Sequence, residues 1–536
     1  MTPGPGDVLI GVDAGTSVVK AVAFDRAGVQ LGTASTPNRY RTLAGGVAVQ
    51  SLEDTWNDCA AVLRGLADEV PRLASRTAAV GVTGQGDGTW LVGAGDAPVG
   101  DAWLWLDARA APTVSALQAS PAERARFEAT GTGLSACQQG AQLAHRKAIE
   151  PEALARAEVA LHCKDWLYLK LTGVRATDPS EASFTYGNFR TRRYDPTVIE
   201  ALGLAGHRTL LPEIVDGAET WHPLSAGAAA ATGLAEGTPV SLGFVDMVCT
   251  ALGAGVHTGD ADTACSVIGS TGVHLRSVAA DEVRLSAPED GPGTGYVLLL
   301  PIPGRVTQVQ SNMAATLNVD WLLGLGAGLA RELGVEVSGS DLVARLDGWL
   351  GSTRPGTLLY HPYVSAAGER GPFVDPHARA GFVGLEAGHG FPDLARAVIE
   401  GLGLAARDCY AAMGPMPAEL RLTGGATRSA ALRAVLAASV GAPVRVSSRA
   451  EAGAAGAAMM AAVAVGLHDS MDACIDEWVT PLLGAAEAPD PALEALYART
   501  FEAYVATRRA LAPAWATLAT GREAPPDDSS ETETPT

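Results

Sequence analysis

The chain has 536 residues, too many for one compact hydrophobic core, so two domains of roughly 250 residues each, or three smaller ones, are expected. Hydrophobic residues make up 47% of the sequence and charged residues 18%, a balance typical of a globular protein. The formal charge of −20 argues against a nucleic-acid partner, whose phosphates need a basic face, and against binding to an anionic membrane surface.

Three features of the sequence bear on the cellular compartment. The seven cysteines are scattered without a CxxC pair, which favours reduced thiols over a zinc site or a disulfide framework. The first residues lack the basic and apolar segments of a signal peptide, and no apolar run is long enough to span a bilayer. We therefore expect a cytoplasmic protein, with residues 1–7 and an acidic tail over residues 522–536 disordered.

Residues 8–25 predict a β-hairpin, because two apolar runs flank a short turn that contains glycine. The turn offers backbone N–H groups, two hydroxyls and one nearby cation, which together suit a phosphate. These groups belong to Gly15, Thr16, Ser17 and Lys20. The carboxylate of Asp13, at the end of the first strand, is placed where a hydrated Mg²⁺ could bind. An ordinary hairpin turn is the alternative.

The next part of the first half predicts a second ligand-binding position. Residues 77–82 form a strand that runs into a glycine-rich loop over residues 83–89, a common place for ligand contacts in α/β folds. The polar region over residues 175–191 looks like an excursion over the surface. After a strand at residues 239–244, Asp246 opens a helix, where its carboxylate suits either a general base or an N-cap.

The second half repeats the opening pattern. Residues 262–275 are again strand, turn and strand, and the turn consists of Gly269, Ser270, Thr271 and Gly272. Residues 420–429 form a strand that breaks into a Gly424-Gly425 turn, and a helix over residues 430–440 follows. A last helix is expected over residues 491–509. Two hairpins of the same design suggest two like-folded domains that face one another, with the boundary between residues 251 and 260.

Three glycine-rich turns at strand ends, together with Asp13, resemble the ATP site of the actin/hexokinase/Hsp70 superfamily, and the chain contains no Walker A sequence. Within that superfamily the chain resembles the FGGY-family carbohydrate kinases. The motifs that carry this resemblance lie at residues 13–17, 84–85, 105–109, 243–246, 269–272, 362–370 and 424–426. The resemblance implies an α/β fold of two ribonuclease-H-like (actin/hexokinase superfamily) domains with an interdomain cleft. It also implies an N-terminal domain over residues 8–255 and a C-terminal domain over residues 260–510.

The resemblance further implies a role for each matching residue. Asp246 occupies the position of the catalytic base, and Asp13 that of the aspartate that organises Mg²⁺ through water. The two hairpins bind the phosphates of ATP, and Lys20 stands where many relatives carry arginine. Gly424, Gly425 and Ser429 match the residues that contact adenosine in the family. Ser429 stands where some relatives have asparagine. The implied cofactors are ATP and Mg²⁺.

The substrate side is the loop that reads Gln85, Gly86 and Asp87. Xylulose kinases have Gln-Met-His here and glycerol kinases Gln-Arg-Glu. A carboxylate that accepts from two neighbouring hydroxyls suits a polyol, and Gly86 changes the floor of the pocket. With residues 164–168 and 176–181, the loop resembles family members that act on erythritol. This implies phosphorylation of a terminal hydroxyl of that four-carbon polyol, with Asp246 beside it, and leaves xylulose, xylitol or another pentose-type sugar open.

Two alternatives belong to another functional class: an actin-like ATPase that acts as a scaffold, and a homologue that binds sugar without catalysis. The intact Asp13 and Asp246 and the loop at residues 84–89 argue against both. The expected partner is a small polyol or sugar, and neither a nucleic acid nor a membrane is expected to bind. Dimers and tetramers are common among relatives, so a homo-oligomer is a possible assembly. Glu369 and Arg370 suit a structural role as well as a functional one.

Overall fold

The computed structural model describes residues 6–258, 262–286 and 292–523. In the first of these ranges the strands are β1 (Val8–Ala14), β2 (Val18–Asp25), β3 (Gln30–Pro37), β4 (Arg41–Leu43), β5 (Val47–Gln50), β6 (Thr77–Gly84), β7 (Trp90–Gly93), β8 (Ala102–Trp103), β9 (Ala157–Leu161), β10 (Ala176–Thr177), β11 (Gly187–Asn188), β12 (Arg193–Tyr194), β13 (Glu213–Ile214), β14 (His222–Pro223) and β15 (Pro239–Leu242). The helices there are α1 (Leu52–Glu69), α2 (Leu73–Arg76), α3 (Ala111–Gln118), α4 (Glu123–Thr130), α5 (Gln139–Ile149), α6 (Pro151–Arg156), α7 (Cys163–Thr172), α8 (Pro179–Tyr186), α9 (Pro196–Ala201), α10 (Ala226–Thr232) and α11 (Asp246–Ala254).

In the part of the chain that the structure describes, the second half contains fewer strands and helices than the first. Its strands are β16 (Thr263–Ile268), β17 (Gly272–Ala279), β18 (Tyr296–Leu299), β19 (Arg305–Asn312), β20 (Leu359–His361), β21 (Gly381–Val383), β22 (Glu419–Thr423) and β23 (Val444–Val446). Its helices are α12 (Thr316–Glu332), α13 (Gly339–Val343), α14 (Leu346–Ser352), α15 (Phe391–Met413), α16 (Ala430–Val440), α17 (Ala452–Ala464), α18 (Met471–Trp478) and α19 (Pro491–Glu523).

The two halves build six-stranded sheets of the same design. The first has the order β14-β15-β6-β1-β2-β3, and the second has the order β18-β19-β17-β16-β22-β23. In each, an antiparallel hairpin (β1 with β2, β16 with β17) lies beside two further strands that run parallel to its first strand. The predicted fold class of two like-folded α/β domains is confirmed, and the turn of each hairpin lies at the end of its sheet where the neighbouring parallel strands also end.

A hydrophobic core joins the two halves. One cluster contains Leu9 and Val22 of the first sheet together with Leu275 of the second. Helix α17, although it follows the second sheet in sequence, packs on the first: a Cβ at Gly11 would collide with the carbonyl oxygen of Ala454. Small residues on both surfaces therefore allow the backbones to approach closely.

The structure differs from the sequence-based expectations at the ends of the chain. Gly6 and Asp7 are ordered, since Asp7 pairs with Arg76 at 2.9 Å. Helix α19 continues to Glu523, past residue 509 and through Pro513. Part of the expected disordered ends lies outside the described residues, namely residues 1–5 and 524–536. The same is true of residues 259–261, at the expected domain boundary, so the domain limits stay predictions. Within the described ranges, no helix has the length and apolar character needed to cross a membrane.

Candidate active site

A cavity of about 200 Å³ is lined by both halves of the chain. Its lining residues are Thr16, Gly86, Asp87, Trp105, Cys137, Asp246, Met247, Thr271, Val273, Tyr296, Ser311 and Arg370. The cavity thus brings Asp87 and Asp246 together with one hydroxyl from each hairpin turn, those of Thr16 and Thr271. A larger cavity of about 560 Å³, around Arg146, contains none of these groups. We therefore take the smaller cavity as the candidate active site.

Asp246 is the first residue of α11, just beyond the end of β15. It is half-buried, and its Oδ1 accepts a 2.7 Å hydrogen bond from the backbone N–H of Met247. Burial, helped by the nearby carboxylates of Asp13 and Asp87, raises the pKa of Asp246 to about 7. A carboxyl group of this pKa exchanges protons readily near neutral pH, as a general base requires.

Asp13 lies near the end of β1, opposite Lys20 in the hairpin. Burial raises the pKa of Asp13 to about 6, with a smaller contribution from Glu451, although the Lys20 ammonium opposes the shift. Helix α17 closes over this carboxylate, since a Cβ at Gly453 would collide with Oδ2 of Asp13. Lys20 itself donates to Oε2 of Glu451 at 2.9 Å, so its phosphate-binding role stays a prediction that requires this ion pair to open.

The turn of the first hairpin is fixed by side-chain hydrogen bonds. Oγ1 of Thr16 donates to Oε1 of Gln85 at 3.2 Å and accepts from Nε1 of Trp105 at 2.7 Å. Gln85 is buried and donates in turn to Gln50 at 2.9 Å, which places it behind the cavity wall. Ser17 is exposed at the turn beside Gly15, whose carbonyl accepts from Asn38 at 2.7 Å. Gln85 thus helps to fix the turn and does not line the cavity, and its substrate-binding role stays a prediction.

Asp87 occupies an unusual backbone conformation at the cavity wall. Its φ of 58° is in the left-handed region, and the carboxylate is only 8% exposed. Burial raises the pKa of Asp87 to about 6, although the hydrogen bond from Cys137 and the charges of His162 and Arg370 act to lower the pKa. Sγ of Cys137 donates to Oδ2 at 3.2 Å, while Oδ1 is buried with no hydrogen-bond partner among the described residues. Such an orphaned acceptor can receive a ligand hydroxyl.

The other predicted turns lie at the end of the second sheet. In the hairpin turn, the N–H of Gly269 donates to the carbonyl of Thr271 at 3.0 Å, and Ser270 and Thr271 are exposed. Gly424 follows the adjacent β22 with a φ of 99°, and a Cβ there would lie 2.5 Å from the carbonyl oxygen of Ile268. Only glycine can occupy position 424, because a residue with a Cβ would clash with the backbone of Ile268.

Gly425 and Ser429 continue this surface outside the cavity lining. Gly425 is exposed, whereas Ser429 caps α16 by accepting from the N–H of Leu432 at 3.2 Å. The hydroxyl of Ser429 also donates to Asp347 at 2.9 Å. The adenosine-binding roles of these residues therefore stay predictions, and for Ser429 they compete with a structural role.

Two family models match the sequence. The N-terminal domain of the FGGY family of carbohydrate kinases matches residues 8–253, and the C-terminal domain of the same family matches residues 244–465. The chain belongs to the FGGY family of carbohydrate kinases. This FGGY kinase is 64% identical over 517 residues to the erythritol kinase of Brucella abortus (strain 2308), covering 96% of this chain and 99% of that protein.

More distant relatives include kinases for other sugars. The xylulose kinase of Escherichia coli (strain K12) is 30% identical, with coverage of 80% of this chain and 84% of that protein. A solved structure described as a xyloylose kinase from Brucella ovis superposes with a TM-score of 0.82 at 26% identity, covering 95% of this chain and all of that one. The fold and the family are thus shared over almost the full length.

A buried ionic cluster of the FGGY kinase lies behind the loop at residues 84–89. Nζ of Lys164 lies 2.6 Å from Asp165 and 2.5 Å from Asp178, and His162 lies 3.0 Å from Asp165 and 3.4 Å from Glu181. All five side chains are almost completely buried. The expectation that residues 175–191 form a surface excursion is therefore wrong for most of this segment. Its acidic residues Asp178 and Glu181 face Lys164 and His162, so their polarity did not mean exposure.

This cluster supports the loop at residues 84–89 of the kinase from behind. A Cβ at Gly86 would lie 3.0 Å from Oε1 of Glu181 and would collide with Val245. Burial raises the pKa of Glu181 to about 8, although the charges of His162 and Lys164 act to lower the pKa. Gly86 is therefore required by the packing beneath it, which agrees with the expectation that it shapes the floor of the pocket.

Several cavity residues were not assigned a role from the sequence, among them Cys137, Tyr296 and Arg370. Arg370 belongs to a motif that the sequence singled out without deciding its role. Oε1 of Glu369 accepts from the N–H groups of Arg370 and Met313, both at 2.9 Å, and thereby fixes the segment. Cys137 and Tyr296 stand in no recognisable pattern, so no signal in the sequence marked them.

Proposed function

We propose that the protein is an ATP-dependent kinase that phosphorylates a terminal hydroxyl of erythritol. The observation that carries this proposal is the small cavity that joins Asp246, Asp87 and both hairpin turns. Its volume of about 200 Å³ is below the roughly 300–1,000 Å³ of pockets for drug-sized ligands, so it suits a small polyol. The 64% identity to a protein named erythritol kinase favours a four-carbon polyol over a pentose.

In this mechanism Asp246 is the general base. Its carboxylate accepts the proton of the terminal hydroxyl as that oxygen attacks the γ-phosphorus of ATP. A new P–O bond forms to the polyol while the bond between the γ-phosphorus and the bridging oxygen breaks, and ADP leaves with that electron pair. The cavity is lined by both halves, so closure of the cleft would exclude water that competes with the polyol.

Asp87 and Arg370 would hold the remaining hydroxyls. The orphaned Oδ1 of Asp87 is an acceptor, and the Arg370 guanidinium supplies donors from the opposite half of the chain. A polyol hydroxyl can both donate and accept, so it can bridge a carboxylate and a guanidinium. Substrate binding would in this way connect the two halves.

The residues around Asp13 fit a Mg²⁺–ATP complex. Within the described ranges, no three acidic, histidine or cysteine side chains form a metal site of their own. Mg²⁺ is commonly held by one carboxylate, several waters and substrate phosphates, a set to which Asp13 can contribute. When bound, the ion neutralises charge that develops on the phosphates. The phosphates would contact Gly15, Thr16, Ser17, Lys20, Gly269, Ser270, Thr271 and Gly272, and adenosine Gly424, Gly425 and Ser429.

Replacing Asp87 with asparagine should lower kcat/KM for erythritol about 10²- to 10³-fold, because a charged acceptor of substrate hydroxyls becomes neutral. Asparagine tolerates the left-handed backbone at this position, so the loop should keep its shape. Steady-state kinetics with a saturating concentration of the second substrate measures the effect. Asp101→Asn, outside the cavity, is the control, and an equal loss in both variants would contradict the assigned role.

Replacing Arg370 with methionine should raise KM for erythritol about 10- to 100-fold, the value of a hydrogen bond to a charged group. KM for ATP should change little, because the assigned contact is to the polyol. Arg370→Lys should recover part of the loss. The exposed Arg354→Met provides the matched control, and an unchanged KM in Arg370→Met would exclude the polyol contact.

A coupled ADP-release assay tests the proposed function itself. The panel contains erythritol, the threitols, xylitol, glycerol and the xyluloses. We expect the highest kcat/KM with erythritol. A higher value with xylulose or xylitol would keep the kinase and replace its substrate, whereas equal ADP release without any polyol would indicate an ATPase of another class.

We also infer that the enzyme works in the cytoplasm as a homo-oligomer. The cysteines of the described residues are buried free thiols, in agreement with a reducing compartment. ATP is available there as well. Fractionation of the native source and the mass of the purified protein test the two statements separately.

A further inference from the structure

Arg370 reaches the active-site cavity from a small closed loop. The N–H groups of Glu369 and Asp375 each donate to the other residue's carbonyl at 2.9 Å, so residues 370–374 form a loop between two paired positions. Nε of Arg370 is buried with no hydrogen-bond partner among the described residues. The place of the guanidinium in the cavity therefore depends on how firmly this loop is held.

The last helix, α19, has a buried face that contains three large side chains. Arg508 and Trp515 follow Tyr504 by four and eleven positions, spacings that place all three on one side of a helix. Tyr504 is fully buried and Trp515 is only 5% exposed. Both sequence neighbours of Trp515 are exposed, so its burial comes from a contact that this one face makes.

The face of α19 contacts the loop directly and through one further aromatic ring. The hydroxyls of Tyr504 and Tyr363 lie 2.9 Å apart, and the ring of Trp515 meets that of Tyr363 edge to face at 5.6 Å. Tyr363 meets Phe373 of the loop edge to face at 5.5 Å, and the Arg508 guanidinium lies 4.5 Å from the centre of the Phe373 ring. Both kinds of contact are attractive and depend on orientation, so Phe373 is held from two sides.

We propose that α19 is a positioning element for Arg370. Tyr504, Arg508 and Trp515 do not line the cavity, and they act on the guanidinium by holding the loop that carries it. This role rests on the proposed function, in which Arg370 binds a polyol hydroxyl. The helix should therefore affect the binding of the polyol and not that of ATP, because none of the predicted ATP-binding residues belongs to the loop.

Steady-state kinetics with the best polyol of the panel tests this role. Trp515→Ala should raise KM for the polyol about 3- to 10-fold, less than the loss of Arg370 itself, because the guanidinium is displaced and not removed. KM for ATP and kcat should change less than about twofold. Trp515→Phe should recover most of the loss, and Tyr504→Phe, which removes one hydroxyl, should cause a smaller loss in the same direction.

Two further variants separate positioning from general damage to the helix. In an Arg370→Met background, Trp515→Ala should raise KM for the polyol no further, because the group on which it acts is gone. Tyr497→Phe is the matched control. Tyr497 is a fully buried tyrosine of the same helix, but its hydroxyl donates to Glu400 at 2.9 Å, so KM for the polyol should stay unchanged.

Hydrogen exchange of the full chain without ligands tests the contact independently of activity. In Trp515→Ala, the amides of residues 369–375 should exchange about 10-fold faster, while those of the hairpin over residues 263–279 should exchange as in the wild type. Unchanged exchange at residues 369–375 would overturn the inference, whether or not the protein phosphorylates erythritol.

Three kinetic results would also overturn it. These are an unchanged KM for the polyol in Trp515→Ala, an equal rise in KM for ATP, and an undiminished rise in the Arg370→Met background. A wild type without polyol-dependent turnover would instead contradict the proposed function, and the exchange measurement would then decide the positioning of the loop.

Discussion

Replacing Asp246 with asparagine should lower kcat about 10²- to 10⁴-fold, the usual contribution of a general base, with little change in KM for erythritol. Asparagine keeps the shape of the side chain and its ability to accept from the N–H of Met247, but it cannot take the proton of the attacking hydroxyl. Single-turnover measurement of the phosphorylated product isolates the chemical step. Met247→Leu, at the neighbouring cavity residue, serves as the control for local packing.

The pH dependence gives the same residue a second test. Because the pKa of Asp246 is raised to about 7, kcat/KM of the wild type should rise through pH 7 and level off above it. This rise should be absent from the residual activity of Asp246→Asn. The folded state favours the protonated carboxyl, so stability is lost as the pH rises from the ordinary pKa toward 7. The asparagine variant should therefore be at least as stable as the wild type at pH 8. A rate loss that accompanies unfolding would contradict a catalytic role.

Replacing Lys164 with methionine should lower the free energy of unfolding by about 3–5 kcal/mol, because it leaves the buried carboxylates of Asp165 and Asp178 without their cation. Burial alone would raise the pKa of Asp165, but Lys164 and His162 outweigh burial and hold it well below its usual range. Denaturant unfolding at pH 7 measures the loss.

The matched control for this variant is Lys147→Met. Lys147 is exposed and donates to the carbonyl of Gly203 at 2.9 Å, so its replacement should cost less than about 0.5 kcal/mol. The deficit of Lys164→Met should shrink as the pH falls, since protonation removes the unpaired charges of Asp165 and Asp178. A loss of less than about 1 kcal/mol, or one independent of pH, would show that the cluster is not held by this ion pair.

The elements that the sequence predicted well are those defined by short local patterns. The hairpin of β1 and β2 follows from two apolar runs around a glycine turn, and α16 begins at Ala430 because Ser429 supplies its cap. Asp246 was placed correctly at the start of its helix, but the alternative that it caps the helix is wrong, because Val245 occupies the cap position and Asp246 is the first helical residue. Where polarity, periodicity and turn residues within ten positions or fewer all indicate the same element, the sequence alone is sufficient to predict it.

The remaining features depend on contacts between distant segments. The burial of α8 requires Lys164 and His162, which lie in or just before another helix, as partners for its acids. The packing of α17 on the first sheet is fixed by Gly11 and other small residues that have no pattern of their own. Arg370 enters the cavity from the opposite half of the chain. No local rule joins positions so far apart in sequence.

A crystal structure with erythritol and a non-hydrolysable ATP analogue tests the central assignment most directly. We predict that a terminal hydroxyl of erythritol lies about 2.6–3.2 Å from the Asp246 carboxylate and points toward the γ-phosphate. Another hydroxyl should contact Oδ1 of Asp87. Erythritol bound outside this cavity, or with Asp246 beyond hydrogen-bond distance from every hydroxyl, would contradict the assignment of both aspartates.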